Sequence, residues 1–322
     1  MRSFNPPFPA HWLAWSLAGM LFAAPGGILA AENNPLAAPP NGQPVEESTP
    51  KAKEANTDTP AVTDRLKAER DTKGRFTITT HKPNYLLPFT WWSDPNQAAY
   101  APIGGKSLEA QAAKFQLSIK VPIMDDVFSD RSSLWFGYTQ TAWWQLYNPG
   151  ENDDVSRPFR ETNHEPELML DFITDFEVLG MRNRLVRIGL SHQSNGQSRP
   201  LSRSWNRIYA VFLLEWNDVG IAFKPWYRIP ESAEQDDNPD IIDYMGHFDI
   251  TAAWRNGEHE YSLKLRRNFA TGNGAIELGY SFPLNGRVRG FVQVFHGYGE
   301  SLIDYNHKAT RIGIGVLIAG WL

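Results

Sequence analysis

The 322-residue chain contains no cysteine. That excludes disulfides, a thiol nucleophile and thiolate-bound metal. Past the N-terminus it has no run of roughly 20 apolar residues, the length an α-helix needs to cross a bilayer. It also lacks an excess of basic residues: net charge is −5 and the pI about 5.9, so no nucleic-acid partner is expected. Aromatic residues, by contrast, make up 13% of the chain, with 12 Trp, although mean hydropathy is −0.42. Rich in aromatics yet polar on average, the chain suits a transmembrane β-barrel, whose strands alternate between lipid and lumen. A soluble β-protein shares this composition, so the choice rests on patterning.

The chain opens with Arg2, an apolar stretch from Trp12 to Ala24, and small residues through Ala30 and Ala31. This is the layout of a secretory signal peptide, placed at 1–31. Pro25, Gly26 and Gly27 cut the apolar run too short for a membrane helix. Residues 32–80 follow as a lead-in, rich in Pro, Ala, Thr, Glu and Lys through residue 75. With so few large apolar side chains it is expected to be disordered and periplasmic.

From residue 81 to 322 the texture changes to segments of about ten residues with alternating apolarity, separated by turn residues. They fall near 81–90, 115–123, 131–146, 164–175, 184–194, 204–215, 219–230, 243–254, 258–269, 275–283, 287–297 and 309–322. Twelve is an even number, as single-chain bacterial barrels require, and short connections alternate with mostly longer ones. The expected fold is therefore all-β, a 12-stranded antiparallel transmembrane β-barrel. Its weakest strand is 81–90, which contains two prolines.

The chemistry concentrates in Ser191-His-Gln-Ser-Asn-Gly196 and Ser202-Arg-Ser-Trp-Asn-Arg207. Val186, Ile188, Leu190, His192 and Ser194 are two apart and share one face. Because a barrel lumen is polar, that apolar face meets lipid. Asn206 continues the corresponding face of the next segment, with Ile208, Ala210 and Phe212. If the two segments form a hairpin, cross-strand neighbours lie about 5 Å apart, and three polar residues converge on the outside. An imidazole activates a serine hydroxyl and later protonates the leaving group. An amide oxygen on the third residue fixes the tautomer, and being neutral it avoids burying a charge at a low-dielectric boundary. Gly196 frees the backbone to present an amide to an oxyanion. The G-x-S-x-G elbow is absent, which excludes an α/β-hydrolase. Taken singly, Ser, His and Asn are ordinary at a barrel rim. Their shared face and matching height favour catalysis over a non-enzymatic porin or structural barrel, whose functional polar residues would point inward.

These blocks, with Tyr138-Thr-Gln-Thr-Ala-Trp-Trp-Gln-Leu146, Pro158-Phe-Arg-Glu-Thr-Asn163, Lys224-Pro-Trp-Tyr227, Asp236-Asp-Asn-Pro-Asp240 and Gly297-Tyr-Gly-Glu-Ser-Leu-Ile-Asp-Tyr305, resemble the bacterial outer-membrane phospholipase A family over roughly residues 80–320. The resemblance implies a calcium-dependent phospholipase acting on sn-1 and sn-2 acyl esters of phospholipids and lysophospholipids. Ser194 matches its nucleophile, His192 its base and Asn206 the residue orienting that base. It implies Ca²⁺ held by the Ser202 hydroxyl, the Gln197 carbonyl and the carbonyl of Ser156 from a partner chain. It also implies an active homodimer with Gln140 at its interface, and a place in the bacterial outer membrane with the site toward the cell exterior. At a second calcium position, paired with Asp237, Arg199 stands where the family has an aspartate.

Overall fold

A computed structural model of the chain describes residues 59–71, 77–103, 108–148, 159–285 and 288–322. The signal peptide, most of the lead-in and Ser156 lie outside the described residues. Twelve long strands run in chain order: β2 (Asn84–Trp92), β3 (Gln111–Asp125), β4 (Ser132–Trp144), β5 (Phe159–Val178), β6 (Met181–Ser194), β7 (Ser204–Trp216), β8 (Val219–Ile229), β9 (Phe248–Asn256), β10 (His259–Arg267), β11 (Gly274–Asn285), β12 (Val288–Tyr298) and β13 (Lys308–Ala319). Each pairs antiparallel with its chain neighbours, and β13 pairs with β2, so the sheet closes on itself. A two-residue strand, β1 (Thr79–Thr80), adds to the edge of β3.

Alternation sets the two faces. On β6, Ile188 and Leu190 are half exposed on the outside, while Leu185, Arg187 and Ser191 are buried inside. The apolar outer belt is the surface that lipid covers. Among the described residues no helix is long and apolar enough to cross a membrane. The prolines are accommodated locally. Pro83 precedes β2, and Pro88 sits where the β2–β3 register slips between Leu87 and Thr90. Opposite it, a Cβ on Gly315 would lie 2.7 Å from the Pro88 ring and 2.1 Å from the Leu86 carbonyl. Only glycine admits so close an approach.

The lumen is filled by charge. Arg187 forks onto Asp171 at 2.6 and 2.7 Å, Arg207 reaches Glu165 at 2.7 Å, and Lys82 bridges Glu165 and Glu167 at 2.7 and 2.8 Å. Such pairs add little net stability over apolar packing, but breaking one leaves an uncompensated buried charge. They leave an internal cavity of about 320 Å³. At the long-loop end, the segment between β12 and β13 folds inward, burying Leu302, Ile303 and Asp304. Its Asp304 accepts two hydrogen bonds from Arg160, at 3.1 and 2.6 Å.

Two elements depart from the sequence reading. Part of the expected lead-in is a helix, α1 (Ala61–Arg70), docked at the short-turn end of the barrel. Thr63 donates twice to Glu215, both at 2.8 Å, and Glu69 meets Lys120 at 2.7 Å. Arg65 donates to the carbonyls of His81 and Trp321. Its partners are polar lumen groups, so no apolar stripe announced it. Likewise Ile241–Met245, which overlaps the start of the strand expected at 243–254, forms a short helix, α2, with Ile241 and Met245 packed against Trp205 and Trp226.

Candidate active site

Strands β6 and β7 form the predicted hairpin, with His192 directly opposite Asn206 and Ser194 opposite Ser204. The side chains of His192 and Asn206 meet on the outer face: His192 Nδ1 lies 2.8 Å from Asn206 Oδ1. An amide oxygen only accepts, so Nδ1 carries the proton and the Nε2 lone pair is left free. Ser194 stands two positions further along the same face, half-buried, and its hydroxyl makes no hydrogen bond among the described residues. In an enzyme without substrate, catalytic hydrogen bonds are commonly long and tighten only in the reacting complex.

The loop from 195 to 203 is organised by a residue that spacing did not single out. The Asn195 Oδ1 accepts from the backbone amides of Arg203 at 2.9 Å and Gln197 at 3.3 Å. Its Nδ2 donates to the Leu201 carbonyl at 2.9 Å and more weakly to Glu161 at 3.4 Å. Glu161 also accepts from the Ile303 amide at 3.2 Å, tying this loop to the inward fold between β12 and β13. The Ser-Asn-Gly sequence at a strand end is a turn signal that could have pointed to Asn195.

Gly196 follows with φ +65°, which glycine adopts without cost, and it is exposed beside the hairpin end. Ser202 donates to Asp237 Oδ2 at 2.5 Å, and Arg199 donates to Oδ1 of the same carboxylate at 2.7 Å. An arginine thus neutralises Asp237 where a second carboxylate would have to stand. The Gln197 carbonyl receives no hydrogen bond among the described residues, and a hydroxyl, a carbonyl and a carboxylate are oxygen donors of the hard type that suits Ca²⁺.

Further along the outer wall, Gln140 faces outward on β4 and accepts from Tyr138 at 3.4 Å. The register runs Gln140 opposite His164, and His164 opposite Ser194. His164 accepts or donates at 2.7 Å to Tyr138 and was not foreseen. On the far side of Asn206 from His192, Glu231 accepts from Asn206 Nδ2 at 2.8 Å. Burial, and then the neighbouring Asp236, push the Glu231 carboxyl above the ordinary carboxylate range.

A family model described as phospholipase A1 matches residues 62–318. The chain belongs to the phospholipase A1 family. A putative phospholipase A1 of Neisseria meningitidis serogroup B is 44% identical over 260 residues, covering 77% of this chain and 67% of that protein. The phospholipase A1 of Escherichia coli K12 is 41% identical over 264 residues, covering 81% and 89%. Among solved structures, outer membrane phospholipase A from E. coli superposes with a TM-score of 0.70 at 41% identity, covering 77% of this chain and 100% of that one. The Salmonella typhi outer membrane phospholipase, solved as a dimer with bound calcium, gives 0.70 at 41%, covering 77% and 94%. Membership of the phospholipase A1 family makes this barrel an outer-membrane phospholipase, a carboxylic ester hydrolase, and sets aside the porin and structural alternatives.

Proposed function

We propose that Ser194, His192 and Asn206 form the catalytic triad of a calcium-dependent phospholipase on the outer wall of the barrel. The observation that carries the reading is the 2.8 Å contact between His192 Nδ1 and Asn206 Oδ1, outside the barrel, where the apolar belt gives way to polar side chains. With its proton held on Nδ1, His192 takes the Ser194 proton on Nε2 as the hydroxyl attacks the ester carbonyl. It then returns that proton to the leaving alcohol, and water repeats the sequence on the acyl-enzyme. The Gly196 amide, at positive φ and free of hydrogen bonds among the described residues, supports a role as oxyanion donor. Lipids enter laterally, because the triad faces the bilayer and not the lumen.

The Ser202 hydroxyl and the Gln197 carbonyl would hold Ca²⁺ beside this oxyanion position, with the Ser156 carbonyl coming from a second copy. Bound there, the ion would supply positive charge to polarise a water and stabilise developing anionic oxygen. A homodimer meeting along the wall that carries Gln140 would complete the ligand set, since an amide in hydrocarbon needs a partner. The solved S. typhi relative, a calcium-bound dimer, supports both parts. Both sn-1 and sn-2 esters, and lysophospholipids, fit an open lateral site. Residues 1–31 are assigned as the export signal.

Hydrolysis of phospholipid in mixed micelles tests the reading. Ser194→Ala is expected to lower kcat by at least about 10³-fold, as loss of a triad member does. A chelator is expected to abolish wild-type turnover, and sulfonylation should label wild type but not the variant. Calcium-stimulated hydrolysis by Ser194→Ala at the wild-type rate would refute the assignment.

A further inference from the structure

We infer that Glu231 is a fourth member of the catalytic relay: from the loop after β8 it pins the Asn206 amide and lends it a negative charge. The inference rests on the triad reading above and deepens it.

An asparagine is a poor orienting residue by itself. Its side chain ends in an oxygen and a nitrogen of nearly equal size, and a half-turn exchanges acceptor for donor. With Nδ2 toward His192, the imidazole would lose its acceptor at Nδ1 and the wrong tautomer would be favoured. Something must hold the amide, and a carboxylate does so without ambiguity because it only accepts. Glu231 Oε1 lies 2.8 Å from Asn206 Nδ2, while Asn206 Oδ1 lies 2.8 Å from His192 Nδ1. The three groups form a line in which each donor has one acceptor.

The placement also resolves an electrostatic conflict. An imidazolium forms at His192 during each turnover, and a nearby anion stabilises it. An anion on the lipid-facing strand itself would be desolvated at considerable cost. Here the neutral amide sits on β7, and the carboxylate sits one hydrogen bond further out, two residues beyond the end of β8, where it is half-buried. Other charges face Glu231: Asp236 disfavours its ionisation, while Arg228, paired with Asp236 at 2.6 Å, and His192 favour it.

The test compares Glu231→Ala, Glu231→Gln, Asn206→Ala and the double variant Asn206→Ala/Glu231→Ala, each confirmed as a folded barrel by circular dichroism. Removing one net hydrogen bond to a charged group predicts that Glu231→Ala lowers kcat by about tenfold, with KM within about twofold. Glu231→Gln keeps an acceptor but loses the charge. It is expected to cost about threefold or less in kcat, with KM within about twofold, so that Gln rescues most of what Ala loses. In the Asn206→Ala background, Glu231→Ala should have little further effect on kcat, since its partner is gone. A wild-type kcat for Glu231→Ala, alongside an impaired Asn206→Ala, would overturn the relay and leave the triad standing. So would an equal loss on Glu231→Ala with Asn206 absent. Wild-type rates for Asn206→Ala and Ser194→Ala would overturn the triad reading and the relay together.

Discussion

Replacing Asn195 with alanine removes the hub of the loop that carries two of the proposed calcium ligands. Two of its four hydrogen bonds are short, 2.9 Å from the Arg203 amide and 2.9 Å to the Leu201 carbonyl. At a net value of about 1 kcal/mol each, their loss weakens the ordered loop by about 2 kcal/mol. With the ordered and disordered loops near balance in the wild type, that loss leaves the variant loop ordered only a few per cent of the time, and the apparent calcium affinity falls with the competent fraction. At 1.4 kcal/mol per factor of ten, the half-saturating calcium concentration should rise by about 10- to 30-fold. The strands are untouched and His192 still meets Asn206, so kcat at saturating calcium should stay within about threefold of wild type. The assay is a calcium titration of phospholipid hydrolysis. Half-saturation unchanged within twofold would refute the role given to Asn195. So would a loss of kcat that excess calcium does not restore, since that would place the damage in the triad and not in the loop.

Asp304 and Arg160 are each about 1% exposed and joined by two hydrogen bonds, so Asp304→Ala strands a buried guanidinium. It should lower unfolding free energy in detergent by about 3–5 kcal/mol, measured by urea titration, whereas removing both charges should cost less than the single change. Glu300 is buried, which alone would raise its carboxyl, but Arg311 and Lys114 bring it down to about 2. Its contribution is therefore present above the ordinary value of 4.5 and is lost as pH falls from there toward about 2. The stability gap between wild type and Glu300→Gln should narrow across that window; a gap independent of pH would show that the pairing contributes nothing.

Period-two alternation made the barrel legible because each strand must satisfy lipid on one side and a polar lumen on the other. The same rule placed His192, Ser194 and Asn206 outside, and the hairpin register brought His192 and Asn206 together. Helix α1 was unreadable for a related reason. A helix is recognised by its apolar stripe, but Thr63, Arg65 and Glu69 dock onto glutamate, carbonyl and lysine partners in a charged interior. Polarity signals disorder only where the core is apolar. Tyr244 and Met245 fell in the expected strand because apolar content over so short a stretch cannot separate a helix from a strand. Glu231 escaped notice because it lies 25 positions from Asn206 and reaches it only through the β7–β8 pairing.

The position of Arg65 bears on how the barrel is assembled. β2 and β13 are the first and last long strands, so their pairing closes the largest loop in the chain and is the slowest contact to gain entropically. Arg65 donates to the His81 carbonyl just before β2 and to the Trp321 carbonyl just after β13. One guanidinium thus clasps the two sides of the seam from within. The lead-in helix thereby ties together the first and last long strands, which an open sheet would leave apart.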